Sequence, residues 1–246
     1  MTNLFLYKLK NQFKVLLPLM GVSLILAVFW YLSGLSDNRV LQILCKILSM
    51  AALFAACLPA IATVILSWMD FYNTFFGRRA YLIRTLPFSR SSLYGCSLLS
   101  DLVCILIGIA WPVLFLFCIL NIADDMSLMS TIPAELLSPL FKTLIALFMQ
   151  CLFIEQSGFT GGLLGFRMSQ NKLPWSVGFG NLTYVAGNLV MTPAIFIYMG
   201  GDLSSSIVPL DVYSGLMTLI VIVYAVVNLA LLILDGVLVR GRTDVD

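Results

Sequence analysis

The residues that could do chemistry in this 246-residue chain are few, and histidine is not among them. That excludes histidine general bases, Ser-His-Asp triads and histidine metal sites together. Three acids stand inside long apolar stretches: Asp101, Glu155 and Asp235. A carboxylate within a membrane span is by default a candidate for handling protons, ions or substrate. Arg167 is a candidate partner if the three converge, and the competing reading keeps each acid near the inner interface, wet or paired with Arg or Lys. A proton relay would want carboxylates spread over the membrane depth, and these three all fall toward the same ends of their segments. Gly158, Gly161, Gly162 and Gly165 resemble a phosphate loop only superficially, since no strand precedes them and no Gly-Lys-Ser/Thr follows. Close helix packing or a helix break accounts for them better. Asn121, Asn181, Asn188 and Asn228 suit interhelical hydrogen bonds. The six cysteines, at 45, 57, 96, 104, 118 and 151, form no Cys-x-x-Cys pair and read as small hydrophobes. There is no metal motif and no catalytic constellation, so no enzymatic activity is expected of this chain.

The elements that must carry these residues are membrane helices. The chain is 61% hydrophobic and 11% charged, against about 25% charged in a soluble domain. The solvent this implies is lipid. Six segments approach the ~20 residues a span needs: Val15–Gly34, Leu41–Met69, Cys96–Asn121, Pro139–Ser157, Ser176–Met199 and Val212–Val239. The expected fold is an all-α integral membrane protein with six transmembrane helices. Lys8, Lys10, Lys14, Arg78, Arg79, Arg84, Arg90, Arg167, Lys172, Arg240 and Arg242 fall on one side. Arg39 faces the other, with Asp37, Asp124, Asp125, Glu135, Asp202 and Asp211, and Lys46 and Lys142 can snorkel outward from span ends. The positive-inside rule then places both termini in the cytoplasm. The N-terminal apolar run is of full span length and shows no small-x-small cleavage site, so it is read as a span and not a signal peptide. Residues 1–14 set Asn3, Tyr7, Lys10 and Lys14 on one helical face and Phe5, Leu6, Leu9 and Phe13 on the other. This is the pattern of an interfacial amphipathic helix, unless the apolar face simply extends the first span.

The densest positive charge lies in "FYNTFFGRRAYLIRTLPFSRSSLYG", from Phe71 to Gly95. Gly77 can end a helix, Ala80–Leu86 can form a short one stopped by Pro87, and Ser89 can cap the next. Such a loop is a topology anchor held by anionic lipid, or a docking element for a cytoplasmic partner. Charge suffices for the first. The proline stop, the cap and the interleaved Tyr81, Leu82, Ile83 and Leu86 suit the second.

"YLIRTLPFSRSSLYGCSLL" resembles the pattern between the second and third spans of ABC-2-type transporter permeases, the membrane subunits of exporters whose ATPase is a separate chain. "SGFTGGLLGFRMSQNKLPWSVGFGNLTYVAGN" is similar to that family's fourth-to-fifth region, and "LFLYKLKNQFKVLLPLMG" to its amphipathic start. Two departures stand out: Gly77-Arg78-Arg79-Ala80 where members often carry an acid, and Ser97 where many have lysine. The resemblance implies a single permease domain over 1–246, with an interfacial helix at 1–14, a coupling loop at 70–95 and a second cytoplasmic loop at 161–175. It implies that Arg78, Arg79, Tyr81, Leu82, Arg84, Leu86, Pro87, Ser89 and Arg90 meet the ATPase, with Arg167 and Lys172 in the second loop. It implies cytoplasmic ATPase subunits as partners, a second permease copy or a sister permease, and a bacterial plasma membrane. ATP and magnesium would sit on the ATPase, and this chain, which has no Walker motif, would bind no cofactor. Net charge is only +2, and nucleic acid is not an expected partner. The cargo class implied is an amphiphile, peptide antibiotic or drug. Rival readings are an ATP-independent channel or secondary transporter, an intramembrane protease, and a sensor or scaffold bound to an ATPase.

Overall fold

The computed structural model describes residues 2–34, 39–77, 89–122, 134–168, 170–200 and 209–240. Among them are six α-helices: α1 (Thr2–Gly34), α2 (Arg39–Phe75), α3 (Arg90–Ile122), α4 (Ala134–Gly165), α5 (Lys172–Tyr198) and α6 (Leu210–Arg240). No strand occurs among the described residues. α1, α2, α3, α4 and α6 are long and apolar enough to cross a membrane. In hydrocarbon each backbone N–H and C=O must be satisfied within its own segment, and the helix does this.

α5 carries several Asn, Ser and Thr side chains, and it deals with them in the same way. Ser176 donates to Lys172 O (2.9 Å), Asn181 to Val177 O (3.0 Å), Thr183 to Phe179 O (2.8 Å), Asn188 to Tyr184 O (2.9 Å) and Thr192 to Asn188 O (2.9 Å). Each polar group returns to the carbonyl one turn back, so little donor capacity is left for a neighbouring helix. Asn181 and Asn188 therefore do not make the interhelical bonds expected of them. Asn228 does, donating to Met149 O at 3.0 Å.

The helices form two compact units, Met1–Leu66 with Leu98–Ile132, and Ser67–Ser97 with Pro133–Asp246. In the first, Ala52, Ala56 and Phe115 are buried, with Leu26, Ala27 and Trp111 packed against them. Small residues on α2 let α3 approach: a Cβ on Gly108 would lie 3.1 Å from Ala60 Cα. α1 is continuous through Pro18, so residues 2–14 are its first turns and not a separate helix. Asn3, Tyr7, Lys10 and Lys14 are exposed as expected, but Leu6 is exposed as well. The face that is buried carries Lys8, Gln12, Leu16, Met20 and Ser23, which recur at helical spacing.

In the second unit α4 packs against both α5 and α6. Its core is Phe153, Met191, Tyr224 and Leu231. None of the six cysteines forms a disulfide, and Cys96 and Cys104 are buried.

Candidate functional site

Of the arginine-rich loop, Arg78, Arg79, Tyr81, Leu82, Arg84, Leu86 and Pro87 lie outside the described residues. Its two ends are defined. α2 closes with Phe76 N and Gly77 N both donating to Tyr72 O, at 2.8 and 2.9 Å. A Cβ on Gly77 would lie 2.9 Å from Asn73 Cα, which leaves room only for glycine. At the other end Ser89 is the N-cap of α3. Its Oγ accepts from Ser92 N at 3.2 Å and its carbonyl from Leu93 N at 3.0 Å. Arg90 is the first residue of the helix.

The second loop is shorter than the sequence suggests, because α4 continues to Gly165 and α5 begins at Lys172. Asn171 turns the chain in the left-handed region, φ 52° and ψ 43°, which asparagine tolerates better than most residues. Arg167 donates from Nη2 to Leu238 O at 2.9 Å. It supports the C-terminal turn of α6 and is not the partner of Asp235.

The three acids are buried within the protein. Asp101 and Glu155 are 1% exposed and Asp235 is 0% exposed. In the first unit, Gln12 Nε2 donates to Asp101 Oδ1, joining α1 to α3. In the second, Ser67 Oγ donates to Glu155 Oε1 at 2.7 Å. Both oxygens of Asp235 are used: Tyr94 OH donates to Oδ2 at 2.8 Å and Thr160 Oγ1 to Oδ1 at 2.7 Å. One carboxylate on α6 thus ties α3 and α4 together through hydroxyls. Burying an acid without hydrogen bonds is costly, and these contacts offset part of that cost. The sequence shows the acids but not their partners. Ser67, Tyr94, Thr160 and Gln12 are ordinary polar residues until the fold sets them beside a carboxylate.

The glycines of α4 have a packing role. A Cβ on Gly161 would collide with the backbone of Gly180, and one on Gly165 with the backbone of Ser176. Gly161 and Gly165 on α4 meet Ser176 and Gly180 on α5, small residues four apart on both helices. Gly158 lies under the Trp68 indole, whose Nε1 donates to Glu155 O at 3.2 Å.

Next to this seam is a cavity of ≈ 710 Å³, at the end of α2, the second half of α4 and the first half of α5. Every lining residue belongs to the second unit. Trp68, Phe71, Tyr72, Phe76, Phe159 and Tyr184 supply rings to it, and Ser157, Gly158, Gly162, Ser176 and Gly180 supply small surfaces. Phe71 stacks on Phe159 with centroids 4.1 Å apart and planes at 16°. Tyr94 meets Phe159 edge-on at 6.2 Å, and Phe76 stacks on Phe166 at 3.6 Å. The lining adjoins the carboxylate bonds: Trp68, itself held by the Glu155 main-chain carbonyl, follows Ser67, which bonds the Glu155 carboxylate, and Phe159 adjoins Thr160, which bonds Asp235.

Among the described residues no three of the acids and cysteines gather as a metal site. Neither a family model, nor a curated protein, nor a solved structure matches the chain.

Proposed function

We propose that the chain is the membrane subunit of an ABC-2-type exporter, driven by a separate cytoplasmic ATPase. The observation that carries this reading is the Thr-Leu-Pro-Phe-Ser-Arg loop together with the two helices that bracket it. α2 has 37 residues and α3 has 33, or about 55 and 50 Å of helix. The hydrocarbon core is about 30 Å thick. Both helices are long enough to carry the loop clear of the bilayer even when tilted, where a soluble ATPase can reach it.

In this reading α5 is a sixth span, both termini are cytoplasmic, and the first turns of α1 extend the first span into the inner interface. Two permease copies, or this chain and a sister, assemble with two ATPases in a bacterial plasma membrane. Closure of the ATPases on ATP moves the coupling loop, and the spans change between inward-open and outward-open states. Arg84 and Leu86 are central to the docking surface, the first through charge and the second through apolar contact. The cargo is an amphiphile, peptide antibiotic or drug.

A second reading is supported by Asp235 and Glu155, which are buried and bonded to hydroxyls. Buried acids of this kind suit a proton-linked secondary transporter. Two experiments separate the readings. The tagged chain is expressed with its neighbouring genes, purified in mild detergent, and its companions are identified by mass spectrometry. A stoichiometric soluble protein with Walker sequences supports the permease, and a chain that purifies alone favours the secondary transporter. The double variant Arg84→Glu/Leu86→Asp is expected to lose the ATPase while still inserting in the membrane. Wild-type recovery of the ATPase with that variant would sink the docking assignment.

A further inference from the structure

The cavity of the second unit has no place in the coupling argument, and its chemistry is specific. At ≈ 710 Å³ it falls within the roughly 300–1,000 Å³ of sites that enclose a drug-sized molecule. Among the described residues no charged side chain lines it. An ion entering it would give up hydration with no opposite charge to replace it. Most of the polar lining is already engaged. Trp68 donates to Glu155 O (3.2 Å), Ser157 to Ile154 O (2.7 Å), Ser176 to Lys172 O and Asn181 to Val177 O. The Tyr72 and Tyr184 hydroxyls and the Asn73 amide are left to meet one polar end of a guest.

We infer that this cavity is a binding site for an uncharged, ring-bearing lipophile. Rings suit it better than a plain acyl chain because its walls are rings, and aromatic pairs prefer offset or edge-on contact at about 4.5–7 Å between centroids. The small residues along α4 and α5 keep the space beside those rings open. The walls are held in place by the Glu155 and Asp235 hydrogen bonds, so the shape exists before a guest arrives. The inference does not depend on an ATPase, and it holds equally for a permease, a secondary transporter or a receptor for such a molecule.

The test uses the full chain in lipid nanodiscs. The probe is a naphthalene carrying a neutral aryl-diazirine, and its naphthalenesulfonate analogue is the charged control. After photolysis, adducts are mapped by peptide mass spectrometry. Saturable labelling is expected at the peptides holding Trp68, Tyr72 and Tyr184, removed by excess unreactive parent naphthalene and absent with the sulfonate. Val177→Phe adds bulk at a lining position that is 59% exposed and is expected to weaken saturable labelling about tenfold or more. Asn73→Asp puts a charge in the lining at constant size and is expected to do the same, so the result stands if one variant fails to fold. Gly178→Ala, where a Cβ meets nothing within 4 Å, should label as wild type. Uniform labelling of outward residues such as Phe54, Leu137 and Ile197 without competition would overturn the site. So would equal labelling by the sulfonate, or saturable labelling unchanged in both lining variants. Absence of an ATPase from the purified protein would count against the permease and leave this site untouched.

Discussion

Tyr94 donates its hydroxyl to Asp235 at 2.8 Å across 141 residues of sequence, closing α3 onto α6 at a carboxylate with no exposed surface. Hydrogen bonds between membrane helices average about 0.6 kcal/mol and reach about 1.7. The anionic acceptor and full burial argue for the upper part of that range. Tyr94→Phe is expected to cost about 1–2 kcal/mol. Thr160→Val should cost a similar amount, and the pair should be non-additive because both serve one carboxylate. Cys96 and Cys104 are buried, so a thiol-reactive coumarin dye reports unfolding as a rise above the baseline set by exposed Cys57 and Cys118. An unfolding midpoint unchanged in Tyr94→Phe would show the bond to be idle.

Gln12 and Asp101 form the corresponding tie in the first unit. Gln12→Leu keeps the bulk and removes the amide donor facing a buried carboxylate, and Gln12→Glu places an acid beside an acid. Both are expected to lower the dye-detected midpoint, with Gln12→Glu lower, since like charges at one buried site repel. The reverse order would mean that Gln12 acts by packing alone.

Gly161 and Gly165 set how closely α4 and α5 approach. Gly161→Leu and Gly165→Leu are expected to cost at least about 1–3 kcal/mol, the usual penalty for overpacking, because the obstacle is backbone and cannot rotate aside. They should elute as broad or aggregated species in size-exclusion chromatography. Gly178→Ala should remain monodisperse. Equal behaviour of all three would remove the seam between α4 and α5.

Orientation can be tested with reporter fusions. Under the proposed orientation, which rests on the positive-inside rule, green fluorescent protein fused after residue 246 should fluoresce, and alkaline phosphatase inserted near Asp124 or Asp202 should be active. Active phosphatase at the C-terminus would invert the topology or change the number of spans.

Much of the fold is legible in the sequence because lipid tolerates so little. An apolar run of span length with its backbone in hydrocarbon has to be helical, and five of the expected spans correspond to helices long and apolar enough to cross. The local signals also held. Ser89 caps α3, Gly77 follows the end of α2, and the glycines of α4 mark close packing. The first turns of α1 were only half readable, because polar residues occupy two faces there and only one of them is exposed. Lys10 and Lys14 face outward as expected, yet Lys8 and Gln12 turn inward at 3% and 4% exposure.

The amino-acid sequence by itself settled the solvent, the helical class and where several helices begin and end. These depend on composition and on hydrogen bonds that reach one turn along the chain. Only the tertiary structure decided which face of each helix is covered, what the buried acids hold, and that rings from α2, α4 and α5 surround an uncharged cavity. When the surroundings are lipid, inward and outward faces are both apolar, and the period that marks burial in a water-soluble helix fades. The polar partners then lie far apart in sequence, 88 residues from Ser67 to Glu155 and 75 from Thr160 to Asp235, where only folding brings them within 3 Å.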